Sequence, residues 1–329
     1  MSKAKPWTQA DVPDQSGKVF LITGANSGLG LEATRILAGR GATVVMACRN
    51  KEKAMVAKKD VMESHPNAKL DFLSLDVSDL SSVQQAAKEF RRKYDRLDVL
   101  LNNAGIMFTP YQKTVDGFES QLGTNHFGHF ALTGRLLPLL NKTPGSRVVS
   151  VSSQGHRPGR IDFDNLNWEK KYNRFAAYFR SKLANLFFTY ELQRWLEKQG
   201  SSTIAVVAHP GGSATNLGHI DEGQPFWRLY RVIKPIAFLF TQSAAQGTLP
   251  SVRAAVDPNV KGGEYYGPDG IFEGRGLPVK VKSTRYSKDL SIAKKFWEVS
   301  EELTGVKYEL EGVQDLRTEK AKEAASVEV

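Results

Sequence analysis

The sequence predicts an α/β fold, a doubly wound parallel sheet in a single domain. From Lys18 onward, short β-branched runs alternate with longer stretches of good helix formers. The runs are apolar at consecutive positions, as strands are when helices cover both faces of a parallel sheet. A glycine-rich turn follows the first run and opens the first helical stretch.

Taken in order, the expected strands are KVFLIT (18–23), ATVVMA (42–47), LDFLSLD (70–76), LDVLLN (97–102), SRVVSVS (146–152) and TIAVVAHP (203–210). Helices are expected between them near 28–39, 51–64, 79–94, 125–141 and 175–199. Two stretches break the rhythm. Residues 154–174 read as an ordered insertion before the last of these helices. Residues 213–242 form a long excursion carrying PFWRLYRVIKPIAFLF, in which Pro235 argues against one continuous helix. That apolar stretch serves either as core packing or as a flap over an apolar substrate or a membrane surface. The folded domain is expected to span 16–305, after an extension at 1–15 and before a charged, flexible tail at 306–329.

Composition narrows the function classes. With 41% hydrophobic and 24% charged residues in 329, the chain has material for a sizeable core and a solvated surface. The net charge of +10 suits a phosphate-bearing ligand. The cations are interleaved with acids, as in KEKAMVAKKD, a pattern of solvated helix faces that argues against nucleic acid. Cys48 is the only cysteine, which rules out an internal disulfide and a thiolate metal cluster; no metal is expected. No apolar run approaches the roughly 20 residues of a membrane span, and the polar N-terminus lacks a secretory signal, so a cytoplasmic location with at most peripheral membrane contact is expected.

The motifs point to a dinucleotide. LITGANSGLGLEATRIL places Gly24, Gly28 and Gly30 between a strand and a helix, where free amides and the helix dipole favour a pyrophosphate. At the end of the second strand, where such folds often hold a ribose with an acid, the residues are Cys48 and Arg49. Arg49 either faces solvent or pairs with the 2′-phosphate of NADP. Asn102, Asn103, Ala104 and Gly105 follow the fourth strand, and Ser150, Ser152 and Ser153 end the fifth. A hydroxyl there is placed to polarise a substrate carbonyl. In AYFRSK, Tyr178 and Lys182 lie one helical turn apart. The pair is either a ring covering a lysine stem or a phenol whose ionised form a cation favours.

TGANSGLG, NNAG, Asn125, Ser153 and YFRSK, in that order, resemble the short-chain dehydrogenase/reductase family over residues 16–305. The resemblance implies a Rossmann fold. It implies that Tyr178 is a general acid/base, that Lys182 lowers its pKa and holds the nicotinamide ribose, and that Ser153 binds the substrate oxygen, with Ser152 the alternative if the register slips. Asn125 then anchors a water leading from the lysine to solvent. Around the cofactor, the resemblance assigns Gly24, Asn26, Ser27, Gly28, Leu29 and Gly30 to the pyrophosphate turn, and Asp76 and Val77 to the adenine. Asn103, Ala104 and Gly105 support the sheet beside it, while Pro210, Gly211 and Thr215, in HPGGSAT, close over the nicotinamide. The insertion before Tyr178, with HPGGSAT and FWEVSEELTG, is similar to the retinol dehydrogenase-like branch and its bacterial relatives. That implies an NADP-dependent oxidoreductase acting on a carbonyl or alcohol of a lipophilic small molecule. The rival expectation is a dinucleotide-binding scaffold or redox sensor without turnover.

Overall fold

The computed structural model describes residues 6–213 and 241–309. Six parallel strands form where the β-branched runs predict them: Val19–Thr23 (β1), Thr43–Cys48 (β2), Lys69–Ser74 (β3), Val99–Asn102 (β4), Arg147–Val151 (β5) and Ile204–Ala208 (β6). Gly212–Ser213 (β7) and Thr241–Gln242 (β8) make a separate parallel pair. Tyr265–Pro268 (β9) and Pro278–Lys280 (β10) extend the main sheet to eight strands, in the order β3-β2-β1-β4-β5-β6-β9-β10, with β10 antiparallel.

The helices between them are Gly28–Ala38 (α1), Lys51–Ser64 (α2), Leu80–Lys93 (α3), Ser120–Leu122 (α4), Gly128–Lys142 (α5) and Arg174–Lys198 (α6). They are followed by Ala244–Gly247 (α7), Leu249–Val256 (α8) and Leu290–Thr304 (α9). Alternate residues of each central strand feed two cores. Leu21, Leu100 and Val148 join Phe127, Phe130, Phe187 and Phe296 on one face. Phe20, Ile22, Met46 and Val149 join Leu37 and Val252 on the other. A sheet buried on both faces is why these strands read as continuous apolar runs.

Three sequence expectations change. The helix expected from residue 125 is entered through α4 and a π-helical turn at Gly123–Phe127. Glu119 starts this segment early by accepting the amides of Gln121 and Leu122, each at 2.9 Å. The folded body also runs past the boundary drawn at 305. Val306 and Tyr308 are buried, and the Tyr308 hydroxyl donates to the Phe130 carbonyl at 2.7 Å. Two anchors among charged neighbours do not register in a composition window. Likewise the extension at 1–15 packs Trp7 and Val12 into the second core.

The insertion at 154–174 is ordered against α6. The Arg180 guanidinium donates to the carbonyls of Asn165 and Leu166 at 2.7 and 3.2 Å and lies 4.4 Å from the Trp168 ring centroid. Of the excursion at 213–242, most residues, including Phe226, Trp227 and Pro235, lie outside the described residues, as does Thr215.

Candidate active site

Strand order reverses between β1 and β4, neighbours in the sheet whose following chains depart to opposite sides. Their carboxyl ends therefore open a crevice, where open α/β sheets bind ligands. Gly24 and Gly28 take left-handed φ values of 67° and 53° in the turn after β1. A Cβ on Gly30 would lie 2.4 Å from the Gly24 carbonyl oxygen and 2.6 Å from Asn103 Nδ2, so α1 approaches closer than any side chain permits. Asn50, Asp79 and Asn173 cap α2, α3 and α6 with side-chain hydrogen bonds, whereas Ser27 makes none at the start of α1. Uncapped first-turn amides and the dipole suit this end of α1 to an anion.

The crevice has a volume of about 560 Å³. Gly24, Asn26, Ser27, Gly28, Leu29, Arg49, Asp76, Val77, Asn103, Ala104, Gly105, Tyr178, Lys182 and Pro210 all line it. Gly30 lies behind the turn. This chain therefore carries a cradle of the size and chemistry a dinucleotide needs, with the close backbone approach at its phosphate end.

Where the chain leaves β2 and borders the crevice, Cys48 is buried and Arg49 exposed. The Arg49 guanidinium lies 3.3 Å from Asp76 Oδ2, so two residues expected to meet different parts of a ligand also meet each other. Burial raises the Asp76 pKa, but hydrogen bonds from Ser78 and the Arg49 charge outweigh it, and the carboxyl ends below its usual value. Burial pushes the Cys48 thiol up to about 11, so it is protonated at neutral pH.

Thr23, at the end of β1, is a junction that sequence reading missed. Its Oγ1 accepts the amides of Asn103 and Ala104, both at 2.9 Å, and lies 2.9 Å from His129 Nε2. Asn103 Nδ2 returns a bond to the Thr23 carbonyl at 2.8 Å. A threonine in a β-branched strand looks like any other strand residue, and its partners are some 80 positions away. His129 continues the chain to the Asn125 carbonyl at 3.1 Å.

Asn125 grips the chain after NNAG. Its Oδ1 accepts the Ile106 amide at 2.8 Å, while Nδ2 donates to the Ile106 carbonyl at 3.0 Å and to Ser181 Oγ at 2.9 Å. The π-helical turn carries this side chain, in keeping with the habit of such turns at functional sites. A Cβ on Gly105 would lie 3.0 Å from Asn125 Oδ1 and 3.5 Å from Lys182 Nζ, so Gly105 fits directly over both.

Ser152, Tyr178 and Lys182 line the other end of the crevice. The two serines after β5 separate cleanly. Ser152 Oγ donates to the Lys182 carbonyl at 2.8 Å, whereas the Ser153 hydroxyl hydrogen-bonds the Tyr178 phenol. Lys182 Nζ donates to the Val151 carbonyl at 3.3 Å, and burial lowers its pKa to about 8. Tyr178 is also buried, and burial raises its pKa, opposed by the hydrogen bond from Ser153. The shift arises from burial and the Ser153 hydrogen bond, and Lys182 is not among its causes. Phe108 packs edge-on against Tyr178 with ring centroids 5.0 Å apart, and Phe175 and Phe179 complete an aromatic wall beside it.

A family model described as short chain dehydrogenase matches residues 18–222. The chain belongs to the short-chain dehydrogenase family. This dehydrogenase is 40% identical to retinol dehydrogenase 14 of Mus musculus over 306 residues, covering 88% of this chain and 86% of the relative. It is 37% identical to retinol dehydrogenase 13 of Homo sapiens, covering 91% and 87%. It also matches the crystal structure of an uncharacterized protein from Mycobacterium Paratuberculosis at a TM-score of 0.76 and 40% identity, over 93% of this chain and all of that one. The dehydrogenase is thus an NAD(P)-dependent oxidoreductase on a Rossmann fold, acting on a small molecule. Among its described residues no helix is long and apolar enough to cross a membrane.

Proposed function

We propose that this dehydrogenase moves a hydride between NADP and a carbonyl or alcohol carbon of an apolar substrate, with Tyr178 exchanging the proton at the substrate oxygen. The observation that carries this is the hydrogen bond between the Ser153 hydroxyl and the phenol of Tyr178, which itself lines the crevice. Two hydroxyls converging on one point suit a carbonyl oxygen: Ser153 donates to it and Tyr178 delivers the proton. Ser152 is the weaker candidate, because its hydroxyl already donates to the Lys182 carbonyl.

The bound nicotinamide supplies or accepts the hydride. The roles of the chain's own residues follow from their positions. The turn at Gly24, Gly28 and Gly30 receives the pyrophosphate on the α1 amides. Lys182, beneath Tyr178 and bonded to Val151, is suited to the nicotinamide ribose and to passing a proton, since burial brings its pKa to about 8. Asn125 holds the Ile106 backbone in place beside it. Pro210 and Gly211 border the nicotinamide end.

Preference for NADP rests on the absence of a carboxylate at Cys48 and on the exposed Arg49 beside Asp76. The aromatic wall of Phe108, Phe175 and Phe179 supports an apolar substrate, in line with relatives named for retinol. The test is turnover with NADPH and with NADH across aliphatic, aromatic and isoprenoid aldehydes. Oxidation of NADPH that depends on an apolar aldehyde supports the reading. A protein that binds the cofactor and turns over no member of the panel counts against it.

A further inference from the structure

Glu273 stands outside every motif of the sequence, yet its carboxylate collects three partners from two other segments. Oε2 accepts from His209 Nε2 at 2.9 Å and from Gln154 Nε2; Oε1 accepts from the Arg157 guanidinium at 3.1 Å. Gln154 and Arg157 follow Ser153 directly in the chain. His209 follows β6 and precedes Pro210, which lines the crevice. Phe272 and Glu273 both hold left-handed φ values, 53° and 52°, which L residues adopt only when their surroundings demand it.

The second ring nitrogen of His209 completes the arrangement. Nδ1 accepts the Gly211 amide at 3.2 Å, so the ring is neutral and carries its proton on Nε2, toward Glu273. The ring has no freedom to turn away: its side chain is fully buried, and a Cβ on Gly267 would lie 2.0 Å from Nε2. The same hairpin clasps the next residues, because the Gly212 amide donates to the Gly274 carbonyl at 2.7 Å. A Cβ on Gly211, at φ 65°, would lie 2.4 Å from that oxygen.

We propose that Glu273 is a positioning residue: by accepting the Nε2 proton of His209 it leaves Nδ1 free to hold the Pro210–Gly211 turn at the rim of the crevice. Through Gln154 and Arg157 it ties that turn to the loop beginning at Ser153. The two walls of the site at its reacting end are thereby locked to one carboxylate. This rests on the dinucleotide reading above, since the turn borders the place proposed for the nicotinamide.

The experiment combines imidazole ¹⁵N spectroscopy with cofactor titration and steady-state kinetics in wild type, Glu273→Gln and Glu273→Ala, with His209→Gln assigning the resonances. Wild type should show the neutral Nε2-protonated tautomer at His209. Glu273→Ala should shift the population toward the other tautomer and raise Kd and KM for NADPH by about tenfold, with kcat changing far less. Glu273→Gln keeps an acceptor oxygen and should restore most of both. Gly267→Ala, which displaces the ring with the carboxylate intact, should reproduce the affinity loss. An unchanged tautomer and unchanged affinity in Glu273→Ala would overturn the proposal. So would a loss shared equally by both Glu273 variants and tracking a fall in melting temperature. A wild-type protein that binds no dinucleotide would instead sink the functional reading, while the tautomer of His209 would still decide the Glu273 contact.

Discussion

The Lys182 ammonium lies 5.7 Å from the centroid of the Tyr178 ring, one turn away on α6, and donates to the Val151 carbonyl from a buried position. Burial lowers its pKa from 10.5 to about 8. Between those values the folded protein has released a proton that the unfolded chain still holds, so this lysine makes stability rise with pH across that window. Below pH 8 its charge is a cost. Lys182→Met should therefore be stabilised relative to wild type at pH 7 more than at pH 10, the margin narrowing by up to about 3 kcal/mol. Urea unfolding at the two pH values measures it, and a margin independent of pH would refute the assignment.

The proposed preference for NADP turns on Cys48 and Arg49. Charge-assisted bonds to a 2′-phosphate contribute about 1.5 to 3 kcal/mol each, or about ten- to a hundredfold in affinity. Arg49→Ala should weaken NADPH by that factor and leave NADH nearly unchanged, while releasing Asp76 from its ion pair. Cys48→Asp should tilt the preference toward NADH. Fluorescence titration at fixed ionic strength reads both, and equal NADH and NADPH affinity in the wild type would defeat the expectation.

Gly128 begins α5 against the loop after β3, where a Cβ would lie 1.9 Å from the Val77 carbonyl oxygen. Neither backbone can yield without moving the wall that carries Asp76 and Val77. Gly128→Ala should cost about 1 to 3 kcal/mol of stability and weaken cofactor binding. A variant with unaltered melting temperature would mean the two segments separate easily.

The body of the fold continues through Tyr308. Its ring packs against Phe130 and Trp297 at centroid distances of 4.8 and 4.5 Å, and its hydroxyl reaches the Phe130 carbonyl. Ending the chain after Gly305 should lower stability by about 3 to 5 kcal/mol, the range for losing a large buried aromatic. Ending it after Glu309 retains this anchor and should lower stability far less. Equal melting temperatures for the two truncations would show that the anchor contributes nothing.

What was legible in the sequence was local. The glycine turn, the NNAG turn and the Tyr178–Lys182 pair are defined by spacing within one turn or one helical turn, and the structure brings them to one crevice. The six parallel strands were legible because both of their faces are buried. Thr23, Phe108 and Glu273 were not, since each owes its place to partners far along the chain: Glu273 reaches Gln154 across 119 positions. The strands β9 and β10 carry no such local signal either. They are short and flanked by glycine and proline, and β9 owes its place to pairing with β6 rather than to an apolar run of its own. The direction of the Tyr178 shift depends on burial, which spacing along a helix does not reveal.

In the proposed reaction the Tyr178 phenol exchanges the proton at the substrate oxygen while Ser153 orients that oxygen. Turnover of an apolar aldehyde with NADPH, compared between wild type and Tyr178→Phe at matched cofactor saturation, tests it most directly. Removing the hydroxyl leaves the ring and its contact with Phe108 in place, so cofactor affinity and melting temperature should change little while kcat falls by about 10²-fold or more. Equal rates in the two proteins would show that the Tyr178 hydroxyl does not carry the proton.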